Sequence, residues 1–165
     1  MYNVTVIGFS LVGKTSLCLQ WRGYPFTKSY CATIFIEKHV IDELIVCEVP
    51  SHPRFKPNCS TLFSSTDIFV LVVNEDSLEN VLYDEIASQF THASWLLVMN
   101  GTGHFPKCRT WGRDREMYMT RVNLPLGEGI RESLMILKEL SRRHDSRDPP
   151  VSLVGEVYQL IPKCL

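Results

Sequence analysis

The chain has 165 residues, of which 45% are hydrophobic and 21% charged. That composition suits one globular domain with a real core and excludes a disordered or low-complexity chain. Seventeen Lys and Arg balance eighteen Asp and Glu to a net charge of −1, so no global field draws it to nucleic acid or anionic lipid. No apolar run approaches the roughly 18 residues that span a bilayer.

Six cysteines (Cys18, Cys31, Cys47, Cys59, Cys108 and Cys164) lie scattered without a C-x-x-C pair. This argues against a disulfide framework or zinc knuckle and for a reducing, cytoplasmic setting. Histidines 39, 92, 104 and 144 show no ligand spacing. The carboxy end, Pro162-Lys163-Cys164-Leu165, is not a prenylation box, and no lipid anchor is expected.

In chain order, Tyr2 to Gly8 predicts a strand ending in glycine, with a helical pattern from Lys14. Thr33 to Val40 and Glu43 to Val49 predict a hairpin turning at Ile41 and Asp42. Three prolines make a regular helix improbable between Val49 and Ser60. Ile68 to Val73 is continuous and apolar, as expected of a parallel strand covered on both faces. A helix capped by Asp76 or Ser77 is expected to run to about Phe90. Trp95 to Met99 and Met117 to Val122 predict further strands. Asn100 to Arg115, rich in glycine, predicts a long loop with at most one helical turn. Gly129 to His144 carries Ile130, Leu134, Ile136, Leu137 and Leu140 at helical spacing. Asp145 to Pro150 is a polar linker, and the remainder of 146–165 has no clear placement. Strands alternating with helices imply an α/β fold: three layers, a mostly parallel sheet with one antiparallel hairpin, and helices on both faces.

Gly8-Phe9-Ser10-Leu11-Val12-Gly13-Lys14-Thr15 matches G-x-x-x-x-G-K-S/T between a strand and a helix. Glycines at both ends let the backbone amides surround one anion, and the helix start adds its positive end. Lys14 would reach the β- and γ-phosphates and the Thr15 hydroxyl would ligate Mg²⁺.

With Tyr30-Cys31-Ala32-Thr33-Ile34 following that helix, residues 1–145 resemble the Ras-like small GTPases, whose fold is of the P-loop NTPase type. The resemblance implies a nucleotide site of Gly8, Ser10, Leu11, Val12, Gly13, Lys14, Thr15, Ser16, Tyr30, Thr33 and Asn100. It places Mg²⁺ at Thr15, Thr33 and, through water, Glu48, with GTP or another nucleoside triphosphate as ligand. Other positions depart from the family. Where the family has Asp-x-x-Gly-Gln, the chain has Glu48-Val49-Pro50-Ser51-His52, so His52 stands for the glutamine that orients water. Where it has Asn-Lys-x-Asp, the chain has Asn100-Gly101-Thr102-Gly103, without the carboxylate that reads guanine. Asn123-Leu124-Pro125 stands for Ser-Ala-Lys.

Groups for holding phosphate are therefore kept, while those for hydrolysis and base choice are replaced. The leading expectation is a pseudo-GTPase or very slow nucleotide-binding module acting through its switch regions on a protein effector or on neighbouring domains of a larger signalling protein. The alternatives are an atypical GTPase or ATPase using Glu48 and His52, and a nucleotide-free scaffold.

Overall fold

Every residue of the apolar run Ile68–Val73 is buried, which fixes the middle of a six-stranded sheet. A computed structural model of the chain describes residues 1–29, 33–51, 59–74, 77–78 and 83–146, with side chains to Arg143. Its elements are β1 (Tyr2–Ile7), α1 (Lys14–Trp21), β2 (Glu37–Ile41), β3 (Leu44–Glu48), α2 (Ser60–Ser64), β4 (Ile68–Val73), α3 (Tyr83–Gln89), β5 (Ser94–Asn100), α4 (Pro106–Asp114), β6 (Tyr118–Val122) and α5 (Ile130–Ser146). The sheet order is β2-β3-β1-β4-β5-β6. All neighbours are parallel except the β2–β3 pair.

Because side chains alternate across the pleat, the sheet feeds two cores. On one face Val4, Val6, Val46, Val70, Val72 and Val98 pack with Leu17, Cys18 and Trp21 of α1 and Leu137 and Leu140 of α5. The indole N–H of Trp21 donates to Ser133 Oγ at 2.9 Å, tying those two helices together. On the other face Ile7, Phe69, Leu71, Leu97 and Met99 meet Leu62 and Phe63 of α2, Ile86 of α3 and Cys108 of α4. Phe69, fully buried, stacks on Trp95 at 4.8 Å and meets Phe63 edge-on at 5.5 Å. Burying such a ring stabilises the fold by about 1.5–3 kcal/mol. The α/β class, the mostly parallel sheet, the single antiparallel hairpin and helices on both faces match the expectation from sequence. Among the described residues no helix is long and apolar enough to cross a membrane.

Several boundaries differ from expectation. The hairpin turns at Asp42 and Glu43, with Ile41 opposite Leu44 and Asp42 at φ 52, a conformation that short polar residues tolerate. Its first strand starts at Glu37, leaving Ile34, Phe35 and Ile36 exposed ahead of it. The expected loop from Asn100 to Arg115 contains the nine-residue α4, which starts on Pro106, whose fixed φ suits a first helical turn. Gly112 does not break that helix. Its lack of a side chain lets the helix lie on the sheet, since a Cβ there would stand 2.8 Å from Met119 Sδ and 2.9 Å from Leu97 Cδ2. The expected cap at Ser77 is an exchange: Ser77 N–H donates to Asn74 Oδ1 at 2.8 Å and Asn74 N–H to Ser77 Oγ at 2.9 Å. Asp76 lies outside the described residues. Finally, α5 continues to Ser146, so Asp145 is helical rather than linker, and 147–165 lie outside the described residues.

Candidate nucleotide site

The chain leaves β1 toward β3 on one side and β4 on the other, so the strand order switches direction beside β1. In open parallel sheets the crevice at such a point, beyond the carboxyl ends of the strands, is where ligands bind. Residues 8–13 lie there, between β1 and α1, with Glu48 at the end of β3 and Asn100 at the end of β5.

The loop's backbone demands its glycines. Gly8 has φ 146 and a Cβ would strike the Val72 carbonyl oxygen. Gly13, the residue before α1, has φ 101; a Cβ would strike Leu124 Cδ1 and come within 2.9 Å of Asn100 Nδ2. Leu11 takes a positive φ of 64 with an exposed side chain, an uncommon conformation for a bulky residue. No side chain caps α1. The first amide of α1 to bond back to the loop is that of Leu17, to the Gly13 carbonyl at 2.9 Å, and the amides ahead of it in the first turn are those a helix cannot pair internally.

Lys14 is folded back under this loop and is only 5% exposed. Its ammonium donates to the Gly8 carbonyl at 3.0 Å, the Phe9 carbonyl at 2.9 Å and Ser51 Oγ at 2.5 Å. Burial pushes its pKa below the ordinary lysine value, against the opposing pull of Glu48. The described ion pairs are Arg115–Asp84, Lys138–Asp42, Arg142–Glu139 and Arg143–Glu139; none includes Lys14.

Beside the ammonium, three oxygen groups converge. The Thr15 hydroxyl donates to Glu48 Oε1 at 2.6 Å, the Thr33 hydroxyl donates to the same oxygen at 3.2 Å, and the two hydroxyls are 3.2 Å apart. Glu48 is 1% exposed. Burial raises its carboxyl above the ordinary value, while the Thr15 bond and the Lys14 charge work in the other direction. Such hard oxygen donors fit a small divalent cation of the magnesium type.

The structure thus brings together the expected Gly8, Val12, Gly13, Lys14, Thr15, Thr33 and Glu48. Ser10 and Leu11 are exposed on the loop and Ser16 follows in α1. Tyr30 and His52 lie outside the described residues. Asn100 is half-buried: its Nδ2 donates to the Val12 carbonyl at 2.9 Å, and its Oδ1 accepts from Leu124 N–H at 3.4 Å. It braces the loop against the single turn Leu124–Leu126. Gly101 carries no side chain over this crevice, and its own amide donates to the Val122 carbonyl.

Two features had no counterpart in the sequence reading. Ser51 supplies an oxygen for Lys14, a contact that depends on where β3 ends. Cys18 and His39 lie against Glu48, with one donor atom from each of the three within 4.8 Å of the others. The signal for His39 was its strand position, two residues from the inward-facing Ile41. No protein-family model matches the chain.

Proposed function

We propose that this chain is a Ras-like G domain of the P-loop NTPase type that holds a nucleoside triphosphate with Mg²⁺, turns it over slowly or not at all, and acts through protein contacts. One observation carries the reading: a buried ammonium with no ion-pair partner among the described residues lies beside the uncapped first turn of α1. A buried charge left uncompensated is expensive. A phosphate group would match the ammonium and the amides together, at the positive end of α1. Thr15, Thr33 and Glu48 are the residues that would hold Mg²⁺, which would neutralise phosphate charge when bound.

Slow turnover follows from what surrounds the site. Ser51 bonds the lysine, and Pro50 and Pro53 flank His52 in sequence, which leaves little freedom for a residue that must position water. Weak base preference follows from Gly101 and Gly103, which have no side-chain acceptor for guanine, and from Asn100, which is occupied by Val12 and Leu124. Protein contact is favoured by the apolar surface ahead of and along the outer strand β2, where Ile34, Phe35, Ile36 and Val40 are all exposed. Among the described residues Cys18 and Cys47 are free thiols, which suits a reducing cytoplasm.

The test is to denature the purified protein, identify any released nucleotide by chromatography and follow its triphosphate over hours. Retained triphosphate supports the proposal. Retained diphosphate with steady phosphate release, falling in His52→Ala, supports an active NTPase instead. A protein that carries no nucleotide and melts identically with and without Mg²⁺–GTP or Mg²⁺–ATP is a scaffold, because a ligand bound only to the native state raises its stability.

A further inference from the structure

The β2–β3 register places His39 opposite Val46 and Glu37 opposite Glu48. His39 and Glu48 are therefore diagonal neighbours on one face of the hairpin, within reach of each other for long side chains. Cys18 stands on α1 one turn beyond Lys14 and packs onto that same face. All three are buried: Cys18 is 0%, His39 6% and Glu48 1% exposed. A thiol, an imidazole and a carboxylate bring donor atoms within 4.8 Å of one another. Buried polar groups are normally paired, yet His39 Nε2 and Glu48 Oε2 have no hydrogen-bond partner among the described residues.

We propose that Cys18, His39 and Glu48 bind one divalent transition-metal ion of the zinc type, joining α1 to the β2–β3 hairpin. The donor set selects the class of ion. Sulfur and imidazole favour Zn²⁺ or Co²⁺ over Mg²⁺ or Ca²⁺, which take oxygen ligands. Donors around a tetrahedral zinc ion stand roughly 3.3–3.8 Å apart, so small rotations of three side chains close the site. A thiolate and a carboxylate neutralise the dication, leaving no net charge in the core. Without the ion, burial favours the neutral forms of all three groups: it raises the Cys18 thiol and the Glu48 carboxyl and lowers the His39 imidazolium. The Thr15 and Thr33 hydroxyls on Oε1 hold the carboxylate from its other side, as outer-shell partners of metal ligands do. Three protein donors leave a fourth position for water, and His39 lies on the outer strand of the sheet.

The site shares only Glu48 with the proposed magnesium position, and it is tested in nucleotide-free protein, so its failure and that of the nucleotide reading are separate results. After treatment with chelator, the full chain is titrated with Co²⁺ and then with Zn²⁺, following the thiolate-to-cobalt charge-transfer absorption and the melting temperature. The expected result is one equivalent of Co²⁺ with that absorption, its displacement by Zn²⁺, and a rise in melting temperature. Cys18→Ser abolishes the absorption, His39→Gln weakens Zn²⁺ binding by at least about tenfold, and Cys47→Ser changes neither. Should Cys18→Ser not fold, His39→Gln and Cys47→Ser still decide the matter. A wild-type protein with no charge-transfer absorption and no melting response, or an absorption that His39→Gln leaves at full strength and affinity, overturns the proposal.

Discussion

Replacing Gly13 with alanine probes the loop that the whole functional account depends on. Two costs add at this position. The residue sits at φ 101, where a Cβ costs about 1–2 kcal/mol. The new methyl would also strike Leu124, which is 1% exposed and has no solvent to move into, and would crowd the Asn100 amide that bonds Val12; overpacking of this kind costs about 1–3 kcal/mol. Against this, alanine restricts the unfolded chain and restores about 0.4–1 kcal/mol. The net expectation is a destabilisation of about 3 kcal/mol. Gly23 is the internal control, because it has φ 88 but nothing within 4 Å of the added Cβ. Gly23→Ala should therefore cost only about 0.5–1 kcal/mol. Urea unfolding of both variants, with equal m-values, measures the difference. If Gly13→Ala is within about 0.5 kcal/mol of Gly23→Ala, the tight packing of Leu124 and Asn100 around the loop is wrong.

Other perturbations test separate parts of the structure. Burial holds the Glu48 carboxyl above its ordinary value of 4.5, so above that pH the folded state binds more protons than the unfolded one. The stability this contributes is complete below pH 4.5 and is lost as pH rises through the folded value. Metal-free and nucleotide-free Glu48→Gln should therefore match wild type in urea midpoint at low pH and exceed it at pH 7. A wild type that stays the more stable at pH 7 contradicts the assignment. Thr5 Oγ1 and Thr66 Oγ1 are 2.6 Å apart in the core, and Thr66 also bonds the Leu62 carbonyl at 2.9 Å. Thr66→Val, which leaves the buried Thr5 hydroxyl unpaired while the Leu62 carbonyl still accepts from Ser65, should cost about 1–3 kcal/mol, and Thr5→Val, which leaves Thr66 bonded to Leu62, no more than about 1 kcal/mol; a larger cost for Thr5→Val in chemical denaturation would contradict this pairing.

Much of this architecture is visible in the sequence where local pattern and environment agree. Ile68–Val73 is apolar throughout because both of its faces are covered, and the glycines bounding residues 8–13 are needed for a loop that no side chain could follow. The α4 helix was hidden because Gly112 reads as a breaker, while in the fold its missing side chain makes room for Met119 and Leu97. The hairpin boundary shifted because Asp42, which tolerates positive φ, sets the turn one residue later than the apolar pattern suggests. Cys18, His39 and Glu48 have no motif spacing, since an α1 helix and two antiparallel strands bring them together from separate parts of the chain. Asn100, legible in sequence as a ligand contact, has in the fold a second part that the sequence does not show, as a brace between Val12 and Leu124.

The central claim is that the ammonium and amides after β1 hold a phosphate. Isothermal titration of nucleotide-free protein with GTP and with ATP, each with and without Mg²⁺, measures this directly. The expected result is saturable one-to-one binding that requires Mg²⁺ and is lost in folded Lys14→Ala. Binding that is absent in wild type, or that Lys14→Ala leaves unchanged, contradicts it.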